Sequence, residues 1–566
     1  MPAKDPVTDI VNHELLKLLP ADVEVIVEIG IGKGAIGEQY KRLNPFGQYM
    51  GVESDPACRS TAATRVDFVA DQIVDLPIHL GEVDCLVYSN VLNLSADLGT
   101  SLREYLPWLK LDGQAIAYIP NLQFWRRLSH LFRGKWEGEA EFLRDRQQLQ
   151  FLTIESIKET FAEAKFFVYE IQTVYPNTTP EEVEQFDRFL QAALPLAQYL
   201  GLSPENFKLT SQSIGYIVKA TKTPLAVPRL LVQTFIAAAA GCDRIRVLEP
   251  DRFTASIAGT RTISATVNQT MRLNVAFPDE AKVFIWQRAL LLYPQDIQKQ
   301  KAIAQKGYLI VAEHDDDPYF WPENADNKFL LFYSSHCVQT STEPLAQHLK
   351  QFNPNVTVFQ NHLAWLPPQR DYNDDSISLF FGALNRQKDW EPIMPALNQV
   401  LAKYPQVIVK VIHDRQFYDA VISPHKQFQA WCPYEQYQEI LHTCDIGVLP
   451  LMDTQFNRMK SDLKFLEHAG HGVVALASPT VYANTISEGE TGLIYRSPTE
   501  FAAHLTELIL DRDLRQKIAR NAYNWVREHR LLCRHYRERR EWYLEMRSQL
   551  PRLNQELFDR CPEIFG

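Results

Sequence analysis

The amino-acid sequence predicts an α/β protein made of three doubly wound, parallel-sheet units, one before a proline-marked break and two after it. Three observations lead there. Short apolar runs of strand length alternate with helical periodicity along most of the chain. The alternation stops at TKTPLAVP, residues 221–228, and then begins again. At 566 residues the chain is also too long for one ordinary core, and units of roughly 100–200 residues are expected.

In the first unit, residues 1–220, strands are expected at Val23–Ile29, Tyr49–Glu53, Val83–Ser89, Gln114–Ile119 and Ile214–Ala220, with helical patterns between them. Residues 221–228 read as a linker. The second unit, 229–372, has candidate strands at Arg229–Ile236, Arg244–Glu249, Lys282–Gln287, Tyr308–Glu313 and Val356–Gln360. The third, 373–545, has them near Ser376–Phe381, Val407–Ile412, Ile446–Pro450 and Gly472–Ser478, and 546–566 reads as a tail. Two tandem α/β units suit a two-lobed enzyme that binds ligands at the carboxyl ends of its strands.

Hydrophobic residues make up 46% of the chain and aromatics 11%, a globular composition. A net charge of −11 argues against bulk nucleic-acid binding, so no nucleic-acid partner is expected. The 8 cysteines are scattered without a CxxC pair, which signals neither a zinc site nor a disulfide framework. The N-terminus mixes charges throughout, unlike a signal peptide, and no stretch has the roughly 18 uninterrupted apolar residues of a membrane span. A cytoplasmic location is the expectation.

Residues 25–37, VIVEIGIGKGAIG, carry an apolar strand with Glu28 near its end, then Gly30, Gly32 and Gly34 before a helix. Such glycines allow a tight turn and a close backbone approach to a ligand. Glu53, at the end of the next strand, can accept hydrogen bonds from both ribose hydroxyls, and Asp71 follows in DFVADQIVDLP. Spacing alone also allows a dinucleotide-binding domain. On these residues the segment resembles the class I methyltransferases. VDCLVYSNVLNL resembles their fourth motif, LPWLKLDGQAIAYIPN the segment leading to the fifth strand, and FLTIESIKETFAEAKFFVYEI the closing helix and strand. The resemblance implies a Rossmann-like domain that binds S-adenosylmethionine, with Glu28 and the glycines at the methionyl part, Glu53 at the ribose and Asp71 near the adenine. The sequence departs from its relatives where a base is common: Asn93 and Leu94 stand where many have Glu-His, and Gln148 where a histidine is frequent. Tyr88 and Asn90 are the candidate catalytic groups, with Asn90 also a cofactor contact; Asn93 and His130 are substitutes, and each has a polar lining role as its alternative.

The second constellation lies between 380 and 496. FFGALNRQKDW sets Gly382 at a strand end and Arg386 and Lys388 before a helix, a cationic arrangement suited to a diphosphate whose charge grows as a sugar departs. A solvated loop is the alternative for that segment alone. In NRMKSDLKFLEHAGHG, helical spacing puts Lys460, Lys464 and Glu467 on one face, lysine for phosphate and glutamate for ribose. These residues resemble the C-terminal lobe of GT-B glycosyltransferases, particularly the retaining family with a Glu-x7-Glu signature. Glu467 matches its second glutamate, while Met459 stands at the first. The resemblance implies a nucleotide-sugar donor, of UDP or GDP type, and no metal. Cys432 and Tyr434 in WCPYEQY would flank the base. In the preceding lobe, AEHDDDPYFWP offers His314 and Asp316 as candidate catalytic groups facing the sugar or acceptor; a metal-binding DxD-like cluster at Asp315–Asp317 and a capping turn are the alternatives.

The arginine-rich stretch from Trp525 to Arg540 reads as one helix that packs back on the first lobe, with peripheral contact at the inner face of a membrane as its alternative. Together the resemblances imply a bifunctional glycan-assembly enzyme, acting on a saccharide or glycolipid acceptor and methylating a sugar hydroxyl through oxygen. The competing expectation keeps the transferase and makes the first domain a non-catalytic binding module.

Overall fold

The structure, a computed structural model, describes residues 12–89, 92, 97–134, 152–238, 241–273, 275–370, 372 and 376–565. The chain forms two compact units, one of residues up to Pro228 with Ala255–Gly259, the other of Arg229–Thr254 and Thr260 onward.

The first unit is one seven-stranded sheet in the order β3-β2-β1-β4-β5-β7-β6. Its strands are β1 (Val25–Ile29), β2 (Gln48–Val52), β3 (Phe68–Ala70), β4 (Val83–Tyr88), β5 (Leu109–Pro120), β6 (Phe167–Val174) and β7 (Gly215–Thr221). β1 to β5 are parallel, while β7 runs antiparallel between β5 and β6. The central strands are continuous apolar runs because helices cover both faces. Val27, Leu86, Tyr88, Ala117 and Tyr216 pack with Ile157 and Phe161 in one core. Helices start where the sequence supplies caps: Thr153 caps with Ser156, and Thr179 with Glu182 ahead of Pro180.

The second unit holds two six-stranded, all-parallel sheets. The first lobe orders its strands β13-β12-β11-β10-β8-β9, from β8 (Arg229–Ile236), β9 (Thr260–Thr266), β10 (Glu280–Gln287), β11 (Leu309–Glu313), β12 (Cys337–Thr340) and β13 (Val356–Val358). The second orders them β16-β15-β14-β17-β18-β19, from β14 (Ser378–Gly382), β15 (Ile408–Ile412), β16 (Lys426–Gln429), β17 (Ile446–Leu449), β18 (Val474–Ala477) and β19 (Leu493–Ile494). This is the two-lobed GT-B arrangement expected from the sequence.

Three local expectations fail. Arg244–Glu249, expected as a strand from its alternating apolar residues, is a π-helical turn, Arg244–Leu248, running into the helix Glu249–Ala255. Tertiary bonds override the alternation: buried Arg246 donates to Glu313 (2.8 Å), Thr340 O (2.8 Å) and Asn361 (2.9 Å). The stretch from Trp525 to Arg540 is two helices, because the backbone breaks after His529 to exchange hydrogen bonds with Leu363. Residues 546–566 do not trail off; the helix Leu550–Arg560 buries Leu553 and Leu557 in the first lobe. Among the described residues no helix is long and apolar enough to cross a membrane.

Candidate functional site

In the first unit the strand order reverses at β1, which lies between β2 and β4, and crevices at such points are where open α/β sheets hold ligands. The glycine loop leaves β1 there. Gly30, Gly32 and Gly34 have φ of 70°, 56° and 79°, a region that costs side-chain-bearing residues strain. A Cβ on Gly34 would also stand 3.2 Å from Ala62, so the loop can close on the helix Pro56–Ala62 only as glycine. The Gly32 N–H donates to Glu53 Oε2 (2.8 Å) and the Asp55 N–H to Glu53 Oε1 (2.9 Å). Glu53 thus ties the loop to the end of β2, its carboxylate partly open. Asp71, after β3, pairs with Arg59 (3.2 Å), whose guanidinium also donates to Glu53 O (2.5 Å).

Glu28 is buried and accepts the Tyr49 hydroxyl at 2.8 Å. Burial pushes its carboxyl up to about 7, against the lowering effect of hydrogen bonds from Ser89 and Tyr49. Its side chain thus ties β1 to Tyr49 of β2 and to Ser89 after β4. The backbone cradle of Gly30, Gly32 and Gly34 beside the Glu53 carboxylate fits a nucleoside with free ribose hydroxyls, as S-adenosylmethionine has.

Tyr88 needs correction as a catalytic candidate. Its side chain is 0% exposed, packed edge-on against Tyr105 in the apolar core, and its hydroxyl has no partner among the described residues. β4 alternation turns it inward, so no acceptor reaches it from solvent. Asn90 lies outside the described residues, as do Asn93 and Gln148.

In the second unit most of the expected donor residues converge at the carboxyl ends of β14 and β17, where that sheet also reverses. Gly382 closes β14, and a Cβ there would run into the Phe380 and Tyr437 rings at 2.6–2.8 Å. Arg386 donates to Asp389 (3.2 Å) and to Asn457 (2.9 Å), whose amide returns to Asp389 (2.8 Å). Glu467, 2% exposed on the helix Leu463–Gly470, accepts from Tyr434 (2.8 Å), Tyr437 (3.2 Å) and Lys464 (3.0 Å). Burial pushes its carboxyl up, but the Lys464 charge and these hydrogen bonds outweigh it and hold the group below the ordinary carboxylate range.

Other expected residues fall elsewhere. Lys460 does not share the face of Lys464 and Glu467, because the helix starts only at Leu463, after Asp462, which Arg530 grips at 2.7 Å. Lys460 instead donates to Asp316 of the first lobe at 2.5 Å. Lys388 is exposed and has no ion pair or hydrogen bond among the described residues. Cys432 is buried with Phe380, Tyr437 and Leu441, a core residue beside the site and not a base-flanking one.

Opposite, in the first lobe, His314 is 3% exposed after β11, edge-on to Trp321 and Phe332, with both ring nitrogens unpartnered among the described residues. Burial, and then the Arg288 charge, pull it down to about 4, so it is a neutral imidazole near pH 7. Asp315 and Asp316 face Arg288 (3.5 and 3.2 Å), while Asp317 caps the turn Pro318–Phe320. These carboxylates are matched by cations. Among the described residues, no group of three or more histidines, cysteines or carboxylates could hold a metal ion.

Arg244 and Arg288 escaped sequence reasoning. Arg244 pairs with Glu435 and lies over the Tyr434 ring at 5.6 Å; the strand-like alternation around it hid its role. Arg288 has φ 48° just past β10, a strain no composition reveals. Met459, at the first position of the Glu-x7-Glu spacing, is buried in the first lobe's core, and its carbonyl accepts from Thr342 at 2.9 Å. A cavity of about 350 Å³ opens over β15, β16 and the helix Tyr434–His442, lined by Lys410, Phe428, Gln429 and Glu439. It holds none of the converging side chains, and we place the site by their convergence.

A glycine loop beside Glu53 and two parallel-sheet lobes with buried carboxylates are the features that the fold brings together. The family comparisons specify the class. Residues 27–117 match the family described as methyltransferase domain, and residues 395–543 match the family described as glycosyl transferase-like. The chain carries a methyltransferase domain followed by a GT-B glycosyltransferase domain. No curated protein matches it.

Among solved structures it is similar to HepE of Anabaena in complex with UDP and glucose, at 11% identity over 56% of this chain and 100% of that one, TM-score 0.42. It is similar to S. aureus TarM in complex with Fondaparinux, alpha-GlcNAc-glycerol and UDP, at 12% identity over 48% of this chain and 55% of that one, TM-score 0.37; the match spans about half of TarM. Its first domain is similar to a SAM-dependent methyltransferase of Thermotoga maritima, at 16% identity over 37% of this chain and 91% of that one, TM-score 0.25.

Proposed function

We propose that the protein is a bifunctional enzyme of glycan assembly: the GT-B domain transfers a sugar from a UDP- or GDP-type donor to a saccharide or glycolipid acceptor, and the methyltransferase domain methylates a sugar hydroxyl. The observation that carries the first activity is the buried Glu467 carboxylate, held charged by Lys464 beside Tyr434 and Tyr437 at the carboxyl ends of the parallel strands. Ribose hydroxyls would hydrogen-bond to it, and Arg386, Lys460 and Lys464 would stabilise the diphosphate charge that grows as the sugar leaves. Lys460 would exchange Asp316 for phosphate. His314, neutral and with both ring nitrogens open, would bind a hydroxyl of the sugar or acceptor. Retention of anomeric configuration rests on the family resemblance alone.

For the second activity, Gly30, Gly32 and Gly34 would approach the methionyl part, Glu53 the ribose and Asp71 the adenine region, with S-adenosylmethionine supplying the electrophilic methyl group. Burial of Tyr88 favours a second reading, in which this domain binds the cofactor or acceptor without turnover.

The test is nucleotide release from a panel of UDP- and GDP-sugars with saccharide acceptors, alongside calorimetry with S-adenosylmethionine. Release from no donor would sink the transferase reading. Failure to bind S-adenosylmethionine would reduce the first domain to a scaffold.

A further inference from the structure

Resting on the methyltransferase reading, we infer that the face of the helix Trp125–Phe132 bearing Arg127 and His130 binds the acidic group of a saccharide acceptor.

Position comes first. β1, β4 and β5 are parallel and in register, Ile29 beside Tyr88 and Tyr88 beside Ala117. The glycine loop leaves β1 at this edge, and β5 continues past it to Pro120 before the helix begins at Trp125. Arg127 Nη1 donates to Asn121 O at 3.0 Å, which keeps the guanidinium at that carboxyl edge. Arg127 and His130 are three residues apart and share a helix face.

Charge comes second. Arg127 is 7% exposed, and that carbonyl is its one hydrogen-bond acceptor among the described residues. The other buried arginines among the described residues have carboxylates: Arg246 has Glu313, Arg530 has Asp462, Arg515 has Asp445 and Asp511 within electrostatic range, Arg539 has Asp251 and Glu313, and Arg540 has Glu541. Arg126, one residue before, pairs with Glu182. Among the described residues Arg127 has only the neutral Tyr118 in range, and burial pulls its pKa down. Burying a cation without an anion is costly. His130 adds an independent sign, a buried Nδ1 with no partner among the described residues.

The pair is held in place before any ligand arrives. Trp125 packs against Phe124, Phe186 and Phe189, anchoring the helix to Pro180–Tyr199. A planar guanidinium with four unused N–H groups suits a bidentate oxyanion, the carboxylate of a uronic acid or a sugar phosphate.

Binding of D-glucuronate, glucose 1-phosphate and glucose to the full chain, with and without saturating S-adenosylhomocysteine, tests this. One of the acidic sugars should bind at least tenfold tighter than glucose, and which one does identifies the group recognised. Arg127→Met should abolish that preference and Arg127→Lys should keep part of it, while S-adenosylhomocysteine binds all three proteins alike. Equal or absent binding of the three sugars, or an acid preference that survives Arg127→Met, overturns the inference. So does an equal loss of melting temperature in both variants with the preference unchanged in whatever remains folded. A chain that binds no S-adenosylhomocysteine refutes the methyltransferase reading instead, and the anion preference is read without it.

Discussion

Glu28, in the strand before the glycine loop, makes the stability of the first unit depend on pH in a direction opposite to most carboxylates. Its pKa rises from 4.5 to about 7 on folding because it is fully buried. At 1.36 kcal/mol per pKa unit this is about 3 kcal/mol, an order-of-magnitude figure. The folded state therefore binds the proton more tightly than the unfolded chain. Glu28's contribution is complete below pH 4.5 and is lost as pH rises through about 7. Glu28→Gln, which keeps an acceptor for the Tyr49 hydroxyl, should remove this slope. Amide hydrogen exchange of β1, β2 and β4 in the full chain, followed from pH 5 to 8, reads the unit's stability directly. Wild type should lose about 3 kcal/mol of protection relative to the variant over that range. Identical slopes in the two proteins, or a wild type that gains stability with pH relative to the variant, would refute the assignment.

Glu467→Gln should weaken UDP or GDP binding by roughly 10–100-fold, since hydrogen bonds to charged groups are worth about 1.5–3 kcal/mol; calorimetry showing no change would remove Glu467 from the ribose. Arg246→Met strips the partner from Glu313, both side chains being 1% exposed, and should cost about 3–5 kcal/mol in denaturant unfolding of the GT-B unit; an unchanged midpoint counts against that network. Tyr88→Phe removes a buried hydroxyl that has no partner among the described residues, so stability should move by less than about 1 kcal/mol and any methyl transfer should persist. Loss of methylation in a folded variant would restore Tyr88 as catalytic. His314, held down to about 4, should leave no inflection in the glycosyl-transfer rate between pH 5.5 and about 7.5; an inflection there that vanishes in His314→Gln contradicts its neutrality.

Much of the architecture was readable because buried parallel strands are written as continuous apolar runs. VIVEI, VDCLVY and LIVAE each appear as strands within a residue or two of the expected bounds. Several of the missed strands, such as Lys426–Gln429 and Thr260–Thr266, lie at sheet edges with mixed polarity, where the run disappears, while the interior Cys337–Thr340 was missed because it is short and half polar. Likewise the glycines were legible because only that residue adopts their φ cheaply, and Glu53 because its spacing from the loop is set by one helix.

The sequence by itself determined the three mainly parallel sheets, their order along the chain, the glycine cradle and the Lys464–Glu467 pair, all features that depend on local periodicity or on residues a few positions apart; it did not show that β7 enters the first sheet antiparallel. The tertiary structure alone decided which charges meet. It sent Lys460 to Asp316 instead of Glu467, turned Tyr88 into the core, made Arg244–Leu248 a helix around buried Arg246, and left Arg127 without an anion among the described residues. The reason is physical: a side chain's electrostatic partner in a buried site is chosen by strands and loops tens to hundreds of residues away, and desolvation makes that choice more costly than any local preference.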